Sequence, residues 1–114
     1  MFFLYLAYPS AKFIILGDFN LASNHWTHLS LPINCTSQVE YYFVNMLSYF
    51  NFNQLNHVLN VNDVTLDLVL SNVHLNISND PEPLLPLDKH HPAFNVTIDY
   101  NQFNLQKPTD CLFL

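Results

Sequence analysis

In a chain of 114 residues with a single glycine, that glycine is the one residue free to bend the backbone in any direction, so its position constrains the fold. It lies in Phe13-Ile14-Ile15-Leu16-Gly17-Asp18-Phe19-Asn20, where a short apolar run meets a carboxylate and a carboxamide. Four consecutive apolar residues rich in β-branching predict a buried strand, and Gly17 marks the place where the strand ends and turns. Residues two apart share a face in extended geometry. Asp18 and Asn20 would then emerge together at the carboxyl end of a strand, a frequent position for chemistry in layered α/β folds. The alternative is an Asx turn in which both side chains cap their own backbone.

Half of the residues are hydrophobic, enough for one small domain with a core and too apolar for disorder. The charge balance is acidic, with nine Asp and Glu against Lys12, Lys89 and Lys107, no arginine and a net charge of −6. Proteins that grip nucleic acid neutralise several phosphates with Lys or Arg, so this balance argues against unaided binding of a polyanion. A divalent cation would reverse the sign locally. Cys35 and Cys111 have no metal-type spacing and read as free thiols in a reducing compartment. Sequons at Asn34, Asn76 and Asn95, with the apolar start Met1 to Ala7, raise a secreted glycoprotein as an alternative. That start carries no basic residue and is short for a signal peptide, which favours an intracellular protein. No run approaches the roughly 20 apolar residues that span a bilayer, so no membrane partner is expected.

In chain order, Phe2 to Tyr8 is apolar without a clear period, and Pro9-Ser10 stops it. Leu21 to Ser37 reads as a loop anchored by Trp26. His25 and His28 stand three apart within it, but no Cys or carboxylate beside them completes a metal site, and they read as surface histidines. Ser37 caps a predicted helix containing Glu40 in its first turn, with Val39, Tyr42, Phe43, Met46, Leu47 and Phe50 forming its apolar stripe. Phe52 to Leu59 suggests a short strand leading into a turn. Leu66 to Leu70 predicts a second buried strand interrupted by Asp67, a carboxylate that demands a partner such as histidine. Val73 to Ile77 suits an edge strand, and Asn79 to Leu87, with Pro81, Pro83 and Pro86, an extended connection. Ala93 to Tyr100 alternates as a strand. Beyond Asn101 the pattern fades. No repeat or internal boundary divides the chain, so residues 1–114 read as one domain.

Three segments carry a resemblance, in order. Ile14 to Asn20, followed after five residues by Trp26, resembles the GDFN segment of the endonuclease/exonuclease/phosphatase superfamily, particularly the apurinic-type endonuclease domain of non-LTR retrotransposons. Thr65-Leu66-Asp67-Leu68-Val69-Leu70-Ser71-Asn72 resembles its LDLVLSN strand, and Asp88-Lys89-His90-His91-Pro92 its terminal SDHxP motif. Asn53 to Val58 is similar to a stretch that precedes the LDLV strand in that family.

The resemblance implies an α/β fold: half of a four-layer α/β sandwich, with a mixed β-sheet and one or two packed helices. It also implies phosphodiester hydrolysis with Mg²⁺ or Mn²⁺, and DNA as the partner of the complete family. On this basis Asp18 orients or deprotonates the attacking water and Asn20 hydrogen-bonds the phosphate. His90 donates to a phosphate oxygen, held by Asp67. The family's metal-side aspartate aligns with Lys89, and a shifted alignment makes Asp88 the metal ligand, paired with His90 or His91. The likeness spans only the carboxyl-terminal half of the family's domain. The expectation is therefore a truncated DNA-nicking domain, weak or inactive alone, with an exposed sheet edge available for self-association. A non-catalytic interaction module using the same half-fold is the alternative. The enzyme reading requires Asp18, Asp67 and His90 to meet at one pocket.

Overall fold

A computed structural model of the chain describes residues 10–21, 26 and 37–99. The readings of residues 2–8, of His25 and His28, of the two cysteines, of the Asn34 sequon and of the tail beyond Asn101 lie outside the described residues.

The described chain is a small α/β domain with element order β1 (Ile14–Asp18), α1 (Gln38–Tyr49), β2 (Asn53–Gln54), β3 (Asp67–Ser71), β4 (Leu75–Asn79) and β5 (Phe94–Ile98). One sheet runs β1-β3-β2, and a second is the ribbon β4-β5, with antiparallel pairing in both. The apolar core of β3 explains its central place, since Leu68, Val69 and Leu70 are at most 1 % exposed. A strand alternates its side chains between faces, and here the two faces meet different partners. Leu68 and Leu70 pack with Leu47, Phe50 and Phe52 on the helix side. Val69 packs with Val58, Leu75 and Ile77 on the ribbon side. The result is three layers, helix over sheet over ribbon, with β3 in the middle.

The helix begins and ends as its capping chemistry dictates. Ser37 is the N-cap, its Oγ accepting from the Glu40 backbone N–H at 3.2 Å. At the other end Asn51 adopts φ 56°, a left-handed conformation that asparagine tolerates. The Asn51 N–H donates to the Ser48 carbonyl at 3.2 Å and the Phe52 N–H to the Leu47 carbonyl at 2.8 Å. This reversed turn delivers Phe52 to the helix-side core. Of the predicted stripe, Phe43, Met46, Leu47 and Phe50 face the sheet. Val39 and Tyr42 stay 70 % and 60 % exposed, so the buried stripe starts one turn later than its periodicity predicts. Trp26 packs edge-on to Phe43 at 6.4 Å, consistent with an anchor.

Two strand readings are corrected. β1 is half-exposed rather than buried: Ile14 and Leu16 are 36 % and 59 % exposed, because the ribbon covers β3 but not the outer face of β1. Gly17 is not the turn. It lies within β1 opposite Leu68, and no glycine has positive φ. The turn is made by Asn20 at φ 50°, where an Asx turn relieves the left-handed backbone. No helix among the described residues is long and apolar enough to cross a membrane.

Candidate functional site

The register of β1 against β3 builds the site before any side chain is considered. Asp18 is the last residue of β1, Asp67 is the first of β3, and the two stand directly opposite. Opposed residues of an antiparallel pair project to the same face. Two carboxylates therefore share the ribbon-side face at one end of the sheet. Asp67 does not interrupt its strand, as the sequence suggested, but starts it. Like charges placed directly opposite destabilise a ladder unless something neutral or cationic comes between them.

The group between them is an imidazole. His91 Nδ1 lies 2.9 Å from Asp67 Oδ2, and His91 Nε2 lies 3.8 Å from Asp18 Oδ2. The Asp67 contact is of hydrogen-bond length and the Asp18 contact is too long to be one. With Asp67 accepting from Nδ1–H, Nε2 faces Asp18 across a gap that a water or a phosphate oxygen can bridge. The His91 pKa is raised above the ordinary histidine value, first by the Asp67 hydrogen bond and charge, with smaller help from Asp18 and Asp88, against partial desolvation. The side chains remain wet: His91 is 39 % exposed, Asp18 48 % and Asp67 25 %.

Two loops hold this arrangement. In the first, buried amides replace a strand. Gln54 Oε1 accepts from the Asn56 and Val69 backbone N–H groups at 2.7 and 3.2 Å, and Asn56 Nδ2 donates to the Asp67 carbonyl at 2.7 Å. Asn60 Oδ1 accepts from the Asn62 and Val64 N–H groups. Its Nδ2 donates to the His90 carbonyl at 3.3 Å, while the Val61 N–H donates to the Lys89 carbonyl at 3.2 Å. The loop that fixes the backbone of Asp67 thus also fixes the turn carrying His91. In the second loop, Asp88 Oδ1 accepts from the His90 and His91 N–H groups at 2.8 and 3.3 Å. These bonds, the His90 one foremost, hold the Asp88 pKa below its ordinary value.

The sequence-derived site residues fall as follows. Asp18 and Asp67 come together. The imidazole that joins them is His91 rather than His90, whose backbone is held by Asp88 and Asn60 on either side. Asp88, the expected metal ligand, is outside the group of Asp18, Asp67 and His91 ligand atoms that lie within 4.8 Å of one another, and its Oδ1 caps the turn instead. Asn20 follows Asp18 with its backbone N–H donating to Asp18 Oδ1 at 2.9 Å, which is the Asx-turn geometry. Asn56 and Asn60 were missed, because in an asparagine-rich chain a buried positioning amide looks like any loop residue. For His91 the available signal was Asp88, since an Asx turn over Asp88-Lys89-His90-His91 gives the two histidines different surroundings.

The Asp18 and Asp67 carboxylates, opposite each other on the last rung of the ladder, are donors of the kind that suit Mg²⁺ or Mn²⁺. Compared with protein-family models, with curated proteins and with solved structures, the chain matches none.

Proposed function

We propose that Asp18, Asp67 and His91 form the acid–base part of a metal-assisted phosphodiester hydrolase. The observation that carries this reading is their convergence on one face at one end of the β1–β3 ladder. The three-segment resemblance to the endonuclease/exonuclease/phosphatase superfamily supports it independently.

Asp67 holds the imbalance of charge in place: it accepts from Nδ1–H and favours the protonated imidazole. Protonated His91 then offers Nε2–H to a phosphate oxygen or to the departing alkoxide. Asp18, with one oxygen committed to the Asn20 N–H, uses the other to orient a water and take its proton as the water oxygen bonds to phosphorus. The bond from phosphorus to the leaving oxygen breaks, and the alcohol leaves with a proton from His91. The Asn20 side-chain amide would bind the phosphate, the role that the resemblance implies. A divalent cation held by the Asp18 and Asp67 carboxylates would neutralise charge that builds on the phosphate. Asp88 serves the site by fixing the His91 backbone.

The test is hydrolysis of bis(p-nitrophenyl) phosphate with Mg²⁺ or Mn²⁺ by the whole chain. Metal-dependent release of nitrophenolate is expected, reduced roughly 100- to 10,000-fold in Asp18→Ala and His91→Ala and retained in His90→Ala. Equal rates in the chain and in both deficient variants would sink the reading. Loss in His90→Ala with retention in His91→Ala would return the role to the first imidazole. Nicking of supercoiled DNA under the same conditions tests the polymer substrate that the resemblance implies.

A further inference from the structure

A cavity of about 410 Å³ opens beside His91, walled by Pro83, Leu84, Leu85, Pro86, Leu87 and Ala93, with Asp80 and Asp88 at its polar margin. Apolar cavities of 150 Å³ already admit a benzene ring, and small-molecule sites start at roughly 300 Å³. Its wall is a built loop. The Asp80 N–H donates to the Ala93 carbonyl at 3.2 Å and so closes the base, and the Glu82 N–H donates to Asp80 Oδ1 at 3.0 Å. Asp88 caps the far end. Pro81, Pro83 and Pro86 fix three φ angles between these ties, which lowers the entropy lost when a ligand arrives. The loop nevertheless leaves Leu84, Leu85 and Leu87 at 101 %, 77 % and 81 % exposure, an apolar patch of the kind that marks binding sites.

We infer that this cavity takes the apolar arm of a singly charged phosphodiester whose phosphate sits at His91. The inference rests on the hydrolase reading and names its substrate class. Continuity is one argument, because His91 belongs both to the carboxylate cluster and to the cavity wall. Charge is the other. Asp18, Asp67, Asp80 and Asp88 all lie at the cluster or the cavity, and the chain carries −6 overall with no arginine. A polyanion meets repulsion at every one of its phosphates, whereas a compact diester presents a single negative charge. An uncharged, apolar arm then meets leucines and prolines in place of the basic groove that a nucleic-acid strand requires.

Binding of two singly charged diesters, hexyl methyl phosphate and dimethyl phosphate, is measured without added metal, so that no turnover competes, with the ¹⁵N-labelled whole chain by amide chemical shifts. The hexyl ester is expected to bind at least tenfold tighter, with shifts concentrated at residues 83–93. Leu85→Ser and Leu87→Ser, exposed positions whose change spares the fold, should erase that difference while leaving dimethyl phosphate unaffected. Equal affinity of the two esters, shifts elsewhere on the molecule, or displacement by an equimolar DNA duplex would each overturn the inference. Because these probes need no turnover, hexyl selectivity in a catalytically inert chain would refute the hydrolase reading and keep the cavity assignment. Turnover of bis(p-nitrophenyl) phosphate without hexyl selectivity would do the reverse.

Discussion

The two ends of the β1–β3 ladder are built from the same pairing and solved in opposite ways. At the Ile14 end, neutral groups close every gap. Ser71 is fully buried, its Oγ donates to the Phe13 carbonyl at 2.8 Å and accepts from the Val73 N–H at 3.0 Å. Asn72 continues the clamp, accepting from the Phe13 N–H at 2.8 Å and donating to the Ala11 carbonyl at 2.9 Å. At the other end two carboxylates face each other, half in water, and are reconciled only by an imidazole from a distant loop. One end obeys every rule of polar satisfaction, and the other breaks the rule on opposed charges. Local violations of this kind concentrate where a molecule acts rather than where it merely holds together.

Exchanging the character of the two ends should break the comparison most visibly through turnover. Asp67→Asn keeps the shape of the carboxyl-side end but removes the charge that holds His91 protonated and oriented. Phosphodiester hydrolysis should fall roughly 100- to 10,000-fold, and the His91 imidazole signal in an NMR titration should move to a lower midpoint. At the neutral end Ser71→Ala should leave turnover alone and cost about 0.5–1.5 kcal/mol of stability in urea unfolding, since a half-buried carbonyl and a half-buried N–H lose their partner. Asn60→Ala should do both. It strands two backbone N–H groups, at a cost of about 1–3 kcal/mol, and frees the His90 carbonyl, so that a fall in stability is accompanied by slower turnover. An Asn60→Ala variant with full activity would show that the His91 turn holds itself.

The neutral end and the core were largely legible in the residues. The helix was announced by Ser37 and its apolar spacing, the central strand by Leu68-Val69-Leu70, and the need of Asp67 for a histidine by the cost of a carboxylate among apolar neighbours. What sequence could not supply was which of two adjacent histidines turns inward, because that choice depends on backbone hydrogen bonds from Asn60 and Asp88 made across distance. Likewise the sole glycine looked like the turn, while the positive φ went to Asn20. Gly17 is an ordinary strand residue, and an added Cβ would meet the Phe19 ring at 3.4 Å, a normal contact. Gly17→Ala should therefore change stability by no more than about 1 kcal/mol in either direction, with unfolding entropy and ring contact as the opposing effects. A large loss would mean that the strand needs position 17 to carry no side chain after all.

The smallest effect discriminates most sharply, because its sign should reverse with pH. The folded pKa of His91 is raised, so the stabilising contribution of its protonated form is full below the unfolded value near 6.5 and is lost as pH rises through the raised folded value. Above that range the imidazole is neutral and Asp18 and Asp67 repel across their rung. Asp18→Asn should then stabilise the chain slightly, by about 0.2–1 kcal/mol, the size of cross-strand charge effects. Below it, the same substitution removes an attractive partner of the imidazolium and should destabilise slightly. Denaturation midpoints of the two proteins plotted against pH should therefore cross. Parallel curves would mean that Asp18 and His91, 3.8 Å apart, do not sense each other, and that the charged end of the ladder contains a single Asp67–His91 pair rather than three coupled groups.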